Sequence, residues 1–147
     1  MATIDDIMTL LATKSKMRDE PSVTTLLQKL CYWTENSDSN RLLLKLQMGR
    51  VVALMRQHID SSNVVKEAMT LIRYVCRNED SCASMHPYTT DVMTLLQKHA
   101  SNEEVLRYYY DNMISSIASC LTSSIYVLKR IVISCNLNIS AQCVCIC

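Results

Sequence analysis

The chain has 147 residues and a formal net charge of +1, from 15 Lys and Arg against 14 Asp and Glu. That balance lacks the concentrated basic surface that phosphate backbones demand, so no nucleic-acid partner is expected. With 49% hydrophobic residues, one Gly, two Pro and no Phe, the composition favours helices joined by short polar links, in one domain able to bury a core without staples.

In chain order, the opening Met1 to Asp6 carries no basic region followed by a long apolar run, so no secretory signal is expected. Apolar residues at 4, 7, 8, 10 and 11 predict an amphipathic helix. The polar stretch Lys14 to Pro21 reads as a loop, because Pro disfavours helix in the residue before it. From Pro21 the pattern Val23, Leu26, Leu27, Leu30, Cys31 and Trp33 predicts a second helix. Thr34 to Asn40 is polar and reads as its end. A short apolar segment, Leu42 to Met48, then meets Gly49, read as a corner where a residue free to take positive φ is useful. Arg50 to His58 follows as a helix. Asp60 to Asn63 supplies caps for a long helix, Val64 to Arg77, whose apolar positions 65, 68, 69, 72 and 75 fit a 3.6 period. Past a polar break at 78–81, the order begins again with 82–85, His86-Pro87 and a helix from Val92 to His99. A further helix is expected over 105–117, with Glu103 and Glu104 complementing its dipole.

Three stretches repeat one another: Ile7 to Lys14, Val51 to His58 and Val92 to His99, the last two 41 positions apart and both ending on His. A period near 40 in helical code is the mark of a helical solenoid. The run Asn36 to Met55, passing through Leu42-Leu43-Leu44-Lys45-Leu46-Gln47-Met48-Gly49, and the run Asn63 to Val75 resemble the armadillo repeat, with its short first helix, corner, second helix and long third helix. The resemblance covers about 4–119 and is best over 36–99. It implies an all-α, right-handed solenoid of about three repeats over residues 1–119. It also implies a non-catalytic adaptor or scaffold that binds a partner protein on the concave face of its third helices.

In armadillo repeats that hold extended peptides, stacked Trp and Asn side chains line that face. The corresponding positions here are Gln28, Thr70 and Asp111 for Trp, and Tyr32, Tyr74 and Ser115 for Asn. None matches, so peptide clamping is not carried over. Partner binding is instead assigned to Gln28, Tyr32, Thr70, Arg73, Tyr74 and Asp111, since Tyr and Arg are favoured at interface hot spots. The alternative is a compact helical bundle, an inhibitor or decoy holding a partner helix in an apolar groove.

Other features carry plainer readings. Tyr108-Tyr109-Tyr110 must leave at least one ring exposed on a helix. His58 and His99 sit at helix ends, where an imidazolium is mildly favourable. Cys31, Cys76 and Cys120 fall inside apolar patterns and read as buried thiols of a reducing compartment, the cytoplasm or nucleus. Residues 120–147 are either a last helix covering the open end of the stack or an apolar Cys-rich tail replacing a further repeat. Their ending Cys143-Val144-Cys145-Ile146-Cys147 looks like a double-prenylation ending, but the four-residue prenylation box would need Cys at 144, where Val stands. No cofactor, metal, small-molecule substrate, catalytic constellation or transmembrane segment is expected, while self-association through a solenoid end is open.

Overall fold

The computed structural model describes residues 3–77 and 84–99. Their helices are α1 (Ile4–Lys16), α2 (Glu20–Glu35), α3 (Asp38–Lys45), α4 (Met48–Gln57), α5 (Ser62–Val75), a 3₁₀ turn (His86–Tyr88) and α6 (Thr89–Lys98). The described chain is all-helical.

Local chemistry fixes the helix ends. Thr3 opens α1 with a capping box: its hydroxyl accepts from the Asp6 N–H at 3.2 Å, and the Asp6 carboxylate accepts from the Thr3 N–H at 2.8 Å. The stretch read as a loop from Lys14 to Pro21 is much shorter than expected, since α1 runs on to Lys16 and α2 already starts at Glu20. A Schellman turn makes this possible. Arg18 takes the left-handed conformation (φ 54°), its N–H donating to Ser15 O at 3.0 Å while the Asp19 N–H donates to Lys14 O at 3.1 Å. In place of the usual apolar contact, Lys14 Nζ pairs with Asp19 Oδ2 at 3.1 Å. Asp19 also caps α2 by accepting from the Ser22 N–H. The polar run 34–40 ends α2 and starts α3 at once. Ser37 caps α3, and Arg41 donates back to the last carbonyls of α2, Thr34 O and Glu35 O.

Gly49 is not the corner that the sequence suggested. It lies in the first turn of α4, and no glycine has positive φ. The corner is Leu46-Gln47. What Gly49 provides is space, because a Cβ there would stand 2.8 Å from the Tyr88 hydroxyl oxygen and 3.2 Å from its ring carbon Cζ.

The helices lie in two layers. In one, α4 touches both α1 and α6; in the other, α2 packs along α5; α3 lies against α1, α2 and α5. Neighbours within each layer run parallel, as their hydrogen bonds show: Gln47 Nε2 to Asp5 Oδ1 (2.9 Å), Arg50 Nη2 to Met8 O (3.1 Å) and Ser15 to Gln57 advance together along α1 and α4. Ser61 to Glu20 and Gln28 Nε2 to Glu67 Oε1 (2.9 Å) advance along α2 and α5. These bonds join residues 39 to 42 positions apart, close to the sequence period. The core between the layers is aliphatic, with Leu11, Leu27, Leu30, Leu44, Met55, Leu71 and Ile72 fully buried, each worth about 1.5–3 kcal/mol of transfer free energy. All five apolar positions predicted for the long helix, Val65, Ala68, Met69, Ile72 and Val75, are buried.

Candidate interaction face on the long helices

Of the partner-binding residues expected from the sequence, Gln28 and Tyr32 lie exposed on α2, and Arg73 and Tyr74 half-buried on α5. Tyr32 is 69% exposed. Its counterpart Tyr74 is partly buried against the core, with the guanidinium carbons of Arg73 and Arg77 over its ring at 5.0 and 5.7 Å. Burial, and then the nearby Glu35 carboxylate, push the Tyr74 phenol above its ordinary range. Gln28 is exposed and donates to Glu67 across the two helices. Thr70 is different: it is buried, its hydroxyl donating to Lys66 O at 2.9 Å, and lies beneath the face instead of on it. Asp111, like Ser115, Tyr108–Tyr110, Cys120, the helix expected over 105–117 and the Cys143–Cys147 ending, lies outside the described residues.

Beneath this face, Cys31 places its Sγ 3.5 Å from Glu67 O. Burial, helped by the Glu67 and Glu35 carboxylates, pushes the thiol up to about 12. The thiolate, which is the reactive form, is therefore suppressed. Cys76 is buried too, and both are free thiols, as the sequence reading expected.

A second exposed feature went unnoticed in the sequence. Leu42 and Leu43 of α3 and Leu46 just past its end form an exposed apolar stripe. The signal was available: four leucines in five residues, running from α3 into the corner after it, cannot all face one core. Leu44 takes the core position.

The structure also brings together a serine and a histidine that the sequence reading left apart. Ser15 Oγ lies 3.0 Å from His58 Nε2. Both residues are buried, and the Ser15 hydroxyl donates to Gln57 Oε1, so its oxygen accepts from His58 Nε2–H. A hydroxyl oriented away from the imidazole is not activated by it. Among the described residues there is no group of three side chains able to hold a metal ion, and no helix long and apolar enough to cross a membrane.

No protein-family model matches the chain, and no curated protein or solved structure matches it either.

Proposed function

We propose that the chain is an α-solenoid of armadillo-like units acting as a non-catalytic protein-interaction module, with its partner lying across α2 and α5 against Gln28, Tyr32, Arg73 and Tyr74. One observation carries this reading. Tyr32 is a large aromatic side chain 69% exposed, on the helix that packs along its counterpart α5, and exposed Tyr beside Arg is a favoured composition for an interface anchor. The parallel pairing of helices one period apart supports the stacked arrangement, because units that cannot bury their apolar stripes alone gain stability from neighbours. The cytoplasm or nucleus is the setting we propose, in keeping with two free buried thiols.

Affinity capture from cells with Tyr32→Ala and Arg73→Glu, beside a Thr9→Glu control on exposed α1 surface, tests it. The same proteins should be lost with both face variants and kept with the control. If both face variants retain them, the assignment fails. Loss on Leu43→Ser alone would move the partner's seat to the leucine stripe of α3.

A further inference from the structure

His58 and His99 occupy equivalent places in two of the repeating stretches, and each ends up buried just beyond the helix that carries it. Their hydrogen bonds are also equivalent. His58 Nε2 meets Ser15, the residue one beyond Lys14, which is its own counterpart in the first stretch. His99 Nε2 meets the carbonyl oxygen of Ile59, the residue one beyond His58, at 2.6 Å. A carbonyl can only accept, so His99 carries its hydrogen on Nε2. Lys14, in the same place in the first stretch, pairs within its own hairpin with Asp19. The imidazole is thus a part of the junction between one segment and the segment before it.

Among the described residues, ion pairs run from α4 and the turn after it to the third segment (residues 84–99). Arg56 pairs with Asp91, and Lys98 with Asp60, but all four side chains are more than a third exposed and water screens such pairs. The His99 bond to Ile59 is part-buried, and the His99 ring itself is buried. Among the described residues, the third segment adds Met85, Val92 and Leu95 to the aliphatic core that α1 to α5 build from Leu11, Leu27, Leu30, Leu44, Leu71 and Ile72.

We propose that His99 is the latch of a joint at which residues 84–99 open from α4 while α1 to α5 stay folded. The joint makes the third segment a separate cooperative unit, of the kind seen when proteins open sub-globally.

Amide hydrogen exchange on the full chain tests this with His99→Leu, which fills the space without a donor, and His99→Gln, whose side-chain amide offers a donor in place of Nε2. Losing one buried hydrogen-bond donor should raise exchange over 89–98 by about five- to a hundredfold in His99→Leu, with 20–35 unchanged, and His99→Gln should restore most of the protection. Equal behaviour of the two variants would show that the ring only fills space and would overturn the latch. A uniform rise across α1 to α6 would overturn the separate joint. Should His99→Leu not fold, the wild-type chain in increasing urea decides: 89–98 should lose protection at lower urea than 62–75, and simultaneous loss contradicts the proposal.

Discussion

The first and second repeating stretches carry nearly the same apolar pattern and experience different surroundings. Ile7, Met8 and Leu11 of α1 are buried, as are their counterparts Val51, Val52 and Met55 of α4. Leu10, however, is 44% exposed, whereas its counterparts Leu54 and Leu95 are 7% and 3% exposed. The same contrast recurs on the long helices, where Tyr32 is open and Tyr74 packs against the core with Arg73 and Arg77 over its ring. A repeated sequence therefore fixes which side of a helix is apolar, and the neighbouring segment decides how much of it is covered.

Truncation should sharpen this contrast most. Leu27→Ala or Leu71→Ala, at fully buried positions, should cost about 2–5 kcal/mol through lost transfer energy and a cavity, against less than about 1 kcal/mol for Leu10→Ala. Urea unfolding measures both, and equal losses would break the comparison.

Alkaline titration comes next. The folded Cys31 thiol is pushed up to about 12, above its unfolded value, so the folded state holds the proton more tightly. Stability should be level below the unfolded thiol value, near 9, and fall as pH rises from there toward 12. Cys31→Ala should remove that part of the slope, measured as the urea midpoint against pH.

Gly49 and Tyr88 offer a smaller effect. In the Tyr88→Ala background, Gly49→Ala should stabilise by up to about 1 kcal/mol, the helical preference of Ala over Gly. With Tyr88 in place that gain should be offset by displacement of its ring, giving a coupling of about 1 kcal/mol in a double-mutant cycle.

The smallest change expected is a gain. Arg18→Gly relieves a left-handed residue and should stabilise by about 0.5–1 kcal/mol, read from the thermal midpoint. No gain would mean that the Arg18 side chain contributes as much as its conformation costs.

The helices and their buried sides were legible because burial imposes a period, and positions 65, 68, 69, 72 and 75 show it directly. Helix ends were less so. The run 34–40 holds the end of one helix and the start of the next, since Arg41 turns back to the carbonyls that α2 leaves open. Gly49 was misread because the reason for a glycine there is Tyr88, 39 residues later, and only the fold brings the two together. Gln28, Tyr32, Arg73 and Tyr74 were chosen through the armadillo resemblance, which could not tell that Thr70 would be buried. The histidines were noticed as a pair, while their bonds to Ser15 and Ile59 depend on how successive helices align.

The central claim, that these segments stack in file, is tested most directly by distance. Thr9, Ala53 and Thr94 are counterparts on α1, α4 and α6, and all three are exposed. Spin labels carried on an unnatural amino acid, chosen because eight native cysteines preclude thiol labelling, would report the three pairwise separations. Parallel packed helices sit about 8–10 Å apart, so 9 to 53 and 53 to 94 should be similar and 9 to 94 close to their sum. A 9 to 94 separation as short as the other two would mean a closed bundle and contradict the solenoid.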